Sequence, residues 1–561
     1  MKTPRTAAVV LVILAAFTTA TMAAAPAEPL VLTVIARGGE IHGANGIIFD
    51  ANDNLHIASV MGREILVMNP RTGQITGRLG PDLGVEGPDD LIFGPDGSLY
   101  WTSIATGEVG RLTPGGVSTR QYVAPGVNPI TFSDDGFRLF VALDFLGDGL
   151  YEIDPDLVDP PRPIIVATPE IPMPLGFMNG MDWGPDGRLY GPIWTQGQVV
   201  SIDVDSCDGT SHPWDDCDIV TVADGFGVPG AVKFDSQGRL HTIDFMSGEV
   251  FRVDTETGEK EVITQLDRGL DNLAFDSNDR LFISHAQDGI IYRVLPSGQA
   301  RVLNKGGMVG PGGVAVLPGA AGRESVFVAD IWSVREFDGL TGRPKGLERS
   351  ILAVSGLISP GTVAAHGDHL VLSSWLDNAV QVWDLESGQA VDTFYDFAVP
   401  MNAIPFQGDL VVAELGTRSI VWASDHLLLA SGLFVPAGLA ATEDDLWASD
   451  WASGIVWQIV ADGVPLESPL PVAMGLSFPE GLAVDVDGSL LVVETGAGCL
   501  SRIDLATGEV SMVADGFQLG AQGIAGMPPT WVFNGVAIGP SGAIYVTGDV
   551  NSVLYRIWPR P

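Results

Sequence analysis

Gly87-Pro88-Asp89-Asp90-Leu91-Ile92-Phe93, then Pro95-Asp96-Gly97, then Ser98-Leu99-Tyr100-Trp101-Thr102-Ser103, then Val109-Gly110-Arg111-Leu112 is the stretch that decides the fold. Short apolar runs rich in Val, Ile, Leu and aromatics, separated by Gly, Asp and Pro clusters, read as strands joined by tight turns. The Asp-Gly dipeptide supplies the positive φ that a hairpin needs. Gly43-Ala44-Asn45-Gly46-Ile47-Ile48-Phe49, Leu55-His56-Ile57-Ala58-Ser59 and Glu64-Ile65-Leu66-Val67-Met68 follow the same plan one repeat earlier.

The plan returns at Asn128, Asn179, Pro229, Asp271, Gly312, Pro360, Asn402, Ala437, Glu480 and Asn534. With Asn45 and Asp89 these make twelve repeat starts, spaced 35 to 54 residues apart along the chain. That period suits a propeller blade. One four-stranded blade cannot bury both of its faces, and blades stacked around an axis do. No sustained helical period follows the N-terminal segment. The expected class is all-β: two tandem six-bladed β-propellers of four-stranded blades, over 30–309 and 310–561. Seven plus five blades, or one irregular large ring, are the competing partitions. The last repeat, ending at Leu554-Tyr555-Arg556-Ile557, lacks a fourth strand, and the run from Leu30 to Ala36 is an orphan. That orphan either completes the last blade or belongs to the first ring.

The rest of the composition bounds the setting. Residues 1–25 read as a secretory signal: Lys2 and Arg5, an apolar run from Ala7 to Phe17, then small residues up to Ala25. Periplasmic or secreted placement is expected, with no membrane span in the mature chain. The formal net charge is −40, which repels nucleic acid and anionic lipid. Cys207 and Cys217 flank a polar insertion and can close a small loop in an oxidising compartment, leaving Cys499 unpaired.

Met178-Asn179-Gly180-Met181-Asp182-Trp183-Gly184-Pro185-Asp186-Gly187-Arg188-Leu189-Tyr190 and Pro479-Glu480-Gly481-Leu482-Ala483-Val484-Asp485-Val486-Asp487-Gly488 resemble the gluconolactonase/regucalcin-like superfamily of β-propellers. Paraoxonases, strictosidine-synthase-like proteins and NHL-repeat proteins are related to it. The resemblance implies a divalent metal held by one Glu, one or two Asn and one Asp at strand-one starts. Asn128 and Asn179 match the two asparagine positions. Asn45 stands where the family has its Glu, and Pro229 where it has its Asp. Asp89 and Asp271 are the available substitutes.

In a blade, the start of strand one and the end of strand two meet at one face of the disc, near the axis. In the first half this ring of positions offers Asn45, Asp89, Asn128, Asn179 and Asp271, with Asp144, Asp244 and His285 at strand-two ends. Carboxylate and amide oxygens suit a hard cation, calcium or magnesium. His285, with Asp244 or Asp271 beside it, is the expected general base. In the second half Asn402, Glu480 and Asn534 are the expected ligands, among Asp330, Glu414, Asp450 and Glu494. Unpaired carboxylates converging there would raise one another's pKa, a reason to expect a cation in that half too. The same residue types also tie neighbouring backbone in a purely structural role. Trp194, Trp332, Trp375 and Trp451 follow strand-two ends and serve as either an aromatic rim or blade packing.

Two functions follow as expectations. One is a calcium-assisted hydrolase of a small lactone or ester. The other is a non-catalytic NHL-like propeller presenting a disc face, or the Cys207–Cys217 loop, to a protein or glycan.

Overall fold

The computed structural model describes residues 30–319, 323–351 and 355–559. The expected leader at 1–25 lies outside the described residues. Among the described residues, strands form twelve antiparallel sheets of four strands each. Each sheet is one of the sequence repeats, so the chain is two tandem six-bladed propellers, blades 1 to 6 and 7 to 12.

Each ring closes through hydrogen bonds and packing between its first and last blades. Ser284 of blade 6 donates its hydroxyl to the Asn45 carbonyl of blade 1 at 2.6 Å. Ile47, Leu55 and Ile57 of blade 1 share one buried core with Ala274, Phe282 and Ile291 of blade 6. In the second ring the Thr547 hydroxyl of blade 12 donates to the Gly312 carbonyl of blade 7. Val314, Val326 and Phe337 pack with Ala543, Tyr545 and Leu554 across the same seam. Equivalent struts run between interior blades, Thr102 to the Asn128 carbonyl and Ser449 to the Glu480 carbonyl. These buried hydroxyls satisfy carbonyls that the crowded hub hides from water.

The N-terminal strand, Leu30–Arg37, pairs antiparallel with Val553–Pro559, Leu30 opposite Pro559 and Arg37 opposite Val553. It therefore completes blade 12 of the second ring, although its place in the chain groups it with the first (30–309). Pairing the two ends removes an exposed sheet edge and clasps the first-ring sequence inside the second ring's closure.

The inner strands are shaped for the hub. A register shift recurs at their starts, between Pro88 and Leu91, Val127 and Ile130, and Leu270 and Leu273. Such bulges turn side chains away from the ladder and here aim the residues after Pro88, Val127 and Leu270 at the axis. Glycine follows at the tightest crossings: a Cβ on Gly481 would stand 2.6 Å from the Asn534 carbonyl oxygen.

The two rings are bound by a buried ion network. Asp288 of blade 6 accepts from Arg335 and Arg349 of blade 7, and Arg335 also reaches Asp330. An apolar seam joins Met61 to Val309, Ile331, Ile524, Trp531 and Val532. The long segment 516–535, between blades 11 and 12, lies across this seam. Arg63 donates to its Gln522 carbonyl at 3.0 Å, and Asp549 accepts from its Ala521 N–H at 2.7 Å.

Candidate functional site

Asn45, Asp89, Asn128, Asn179 and Asp271, the five strand-one-start ligands expected of the first hub, line one cavity of about 170 Å³. They come from blades 1, 2, 3, 4 and 6. Bulged strand starts present Asp89, Asn128 and Asp271, and the segments just ahead of the inner strands present Asn45 and Asn179; the set spans 226 residues of sequence, the separation of Asn45 and Asp271.

Their hydrogen bonds form a partial network. The Asn128 amide N donates to Asp144 at 2.7 Å and to the Asn179 amide oxygen at 3.0 Å. Asn272 donates to Asp90 at 3.2 Å, and Asp90 also accepts the Ile130 N–H. One carboxylate oxygen of Asp144, Oδ1, is buried with no partner. Burial pushes the Asp89 carboxyl up to about 7, reinforced by Asp90 and opposed by Asn45. Burial, then the charge of Asp89, drives Asp144 and Asp271 well above the carboxylate range. Burial and mutual repulsion thus hold these carboxyls toward their protonated forms, and a cation among them would favour ionisation instead. The donor types fit a hard cation. Among the described residues, however, no three His, Cys, Asp or Glu side chains converge tightly enough to hold an ion by themselves. A cation here must draw on the asparagine oxygens.

His285 sits elsewhere than expected. It does not line the cavity; it is fully buried behind Gly269, its Nδ1 accepting the Asp288 N–H at 3.2 Å. Its neighbouring carboxylate is Asp288, at 3.8 Å, not Asp244 or Asp271. Burial lowers its pKa to about 4, with Asp288 opposing. His285 belongs to the inter-ring ion network and is not placed to act as a base toward a molecule in the cavity.

Asp244 reveals a role that sequence reasoning missed. Its carboxylate accepts the Gly227, Val228, Met246 and Ser247 N–H groups. Asp330 accepts Val309 and Gly310, Asp450 accepts Phe434 and Val435, Glu414 accepts Ala398, and Glu494 accepts Ser477. In every case the acid at the end of strand two holds the loop entering strand one of its own blade. These acids are latches, so the expectation that they stand unpaired around a second cation is overturned. The signal was available: an acid recurs at that one position, beside a loop whose N–H groups have no ladder to join.

Of the second hub's expected ligands, Glu480 and Asn534 meet each other and Asn402 stands apart. Asn534 donates both its backbone and amide N–H to Glu480 Oε2, at 2.6 and 3.0 Å. Asn402 lines the narrow axial channel of the second ring, whereas Glu480 lines a broad groove between the rings. Burial raises Glu480 to about 8, with Asp549 adding to the shift.

The tryptophans divide between sites. Trp194, Trp332 and Trp375 line the first hub's cavity with Phe145, Phe245 and Trp531. Trp451 stacks on Phe478 at 4.4 Å in the groove. His56 and His241 pack edge-on against Phe93 and Phe275. Cys207 and Cys217 form the disulfide, and Cys499 is free and buried. Trp214 in that loop donates to the Pro174 carbonyl at 3.0 Å, so the loop is tied to the segment before blade 4.

No family model and no curated protein sequence matches the chain. Among solved structures, one provisionally named a gluconolactonase matches at 14% identity, covering 50% of this chain and 94% of its own, with a TM-score of 0.35. A virginiamycin B lyase from Staphylococcus aureus matches at 14% identity, covering 61% of this chain and 96% of its own, with a TM-score of 0.23.

Proposed function

We propose that the first hub is the small-molecule site of an exported protein, and that it acts on a lactone or ester with the help of a divalent cation, calcium by preference. One observation carries this reading: five oxygen-bearing side chains from five blades line one cavity, and Asp144, which accepts from Asn128 of that set, keeps a buried carboxylate oxygen with no partner. Asp89, Asp271 and the amide oxygens of Asn45, Asn128 and Asn179 are the residues that would hold the cation. When bound, such an ion polarises a carbonyl oxygen and acidifies a water. The chain's own part is to orient and to exclude water. Asp144 and Asn179 fix the Asn128 amide through its N–H groups, which leaves the Asn128 oxygen free to accept. The aromatic wall keeps bulk water away, which strengthens every interaction at the floor.

The competing reading, a disc face presented to a protein or glycan, is disfavoured for the first ring because the second ring covers its mouth. A binding site without turnover remains the second reading, because among the described residues no histidine lines the cavity. A panel of lactones and aryl esters, assayed with calcium and with excess chelator, tests both. Calcium-dependent turnover lost in Asp89→Asn supports the hydrolase. Full activity in chelator removes the cation, and calcium-raised stability with no turnover leaves the binding reading.

A further inference from the structure

We infer that the second propeller is the specificity element of the first propeller's site: it roofs the hub with tryptophans and selects a neutral ligand with a ring-shaped apolar body over a polyhydroxylated one. The inference rests on the reading of the first hub as a ligand site. The polar atoms of the cavity are concentrated at its floor, in the blade-start Asn and Asp residues. Its roof is built by the other ring: Trp332 and Trp375 from blades 7 and 8, and Ile524, Met527 and Trp531 from the segment 516–535.

A simple ring-to-ring interface would be packed like a protein interior, without voids of ligand size. Here about 170 Å³ remains open between floor and roof. Two bulky wall residues, one from each ring, are held in the left-handed region: Phe145 at φ 54° and Ile331 at φ 34°. Such conformations cost about 1 kcal/mol or more and persist where the surroundings enforce them. The roof itself is fixed. The Trp375 indole N–H donates to the Trp531 carbonyl at 2.9 Å. Gly87, at φ 56°, leaves the space that Ile524 occupies; a Cβ there would lie 2.6 Å from the Ile524 Cδ1. Gln287 Oε1, on the cavity wall, has no partner and offers one acceptor to a hydroxyl or amide of the ligand. Aromatic faces bind flat apolar rings well. A polyol would strip its hydroxyls of water against indole faces and recover few hydrogen bonds.

The test uses the full chain, with 2-naphthol as the neutral ring probe and inositol as the polyol, titrated by calorimetry beside calcium. 2-Naphthol is expected to bind and inositol not to bind. Trp531→Ala and Trp375→Ala are each expected to weaken 2-naphthol by about tenfold or more, a loss of roughly 1.4 kcal/mol, while calcium uptake is unchanged. Trp531→Phe, which keeps an aromatic face, is expected to retain affinity within about threefold, and it serves if an alanine variant fails to fold. Unchanged 2-naphthol affinity in the folded roof variants, or inositol binding as tightly as 2-naphthol, overturns the inference. Roof-dependent 2-naphthol binding in a protein that takes up no calcium leaves the roof standing and removes the cation reading alone.

Discussion

Glu480→Gln turns the electrostatics of the second hub into a measurable slope. The Glu480 carboxyl is buried and raised from 4.5 to about 8, by desolvation first and by Asp549 second. Asn534 donates two N–H groups to its Oε2, and a glutamine oxygen accepts both equally well. The substitution therefore removes the charge and keeps the hydrogen bonds. Because the folded pKa lies above the unfolded one, the native state binds the extra proton between about pH 4.5 and 8. Wild-type stability is then fully present below pH 4.5 and lost as pH climbs through 8. A displacement of this size is worth roughly 5 kcal/mol when complete. The variant lacks that slope. It is expected to match wild type near pH 4.5, to lead by about 3 kcal/mol at pH 7, and by about 5 kcal/mol above pH 8. Urea midpoints for both proteins across pH 4.5 to 9 give the difference curve, in which the contribution of Asp549 largely cancels. A flat difference curve would refute the reasoning.

Three other outcomes follow from the same geometry. Arg335→Ala leaves Asp288 and Asp330 buried without their shared partner and is expected to cost about 3–5 kcal/mol, read by denaturant unfolding. Asp244→Ala strips four backbone N–H groups of their acceptor; it is expected to cost at least about 3 kcal/mol, measured the same way. Deleting residues up to 38 bares the Val553–Pro559 edge and is expected to give soluble aggregates or higher oligomers by size-exclusion chromatography; a monomer as stable as the full chain would show that the clasp is dispensable.

The fold was legible because its signal is repeated. Twelve copies of one strand-turn-strand plan average out the ambiguity of any one, and the missing fourth strand after Ile557 pointed back to Leu30. Two rings were favoured because twelve blades in one ring would leave a wide, wet hole at the axis. Besides the partition of the blades, six plus six against seven plus five or one large ring, the sequence left open which ring Leu30–Arg37 joins, because either disc could accept one more edge strand. The pairing of Val31 with Trp558 and Leu32 with Ile557 settles that.

The site was legible only in part, and the reason is physical. Acids at strand-one starts and at strand-two ends are equally close to the axis in a blade diagram. They differ in what backbone lies beside them. At a strand-two end, the loop entering the same blade presents N–H groups that no ladder uses, so Asp244, Asp330 and Asp450 are consumed as latches. At a strand-one start the bulge points Asp89 and Asp271 past the backbone into the hub, where burial and mutual repulsion keep them from ionising freely. Asp244, Asp330 and Asp450 each fasten a loop of their own blade, whereas Asp89 and Asp271 line the cavity. The covering of that second pair by tryptophans from a different propeller had no signature in spacing or motif, because it depends on how two closed discs meet. The two-ring architecture is therefore the step that sets an aromatic roof from the second ring over the polar hub of the first.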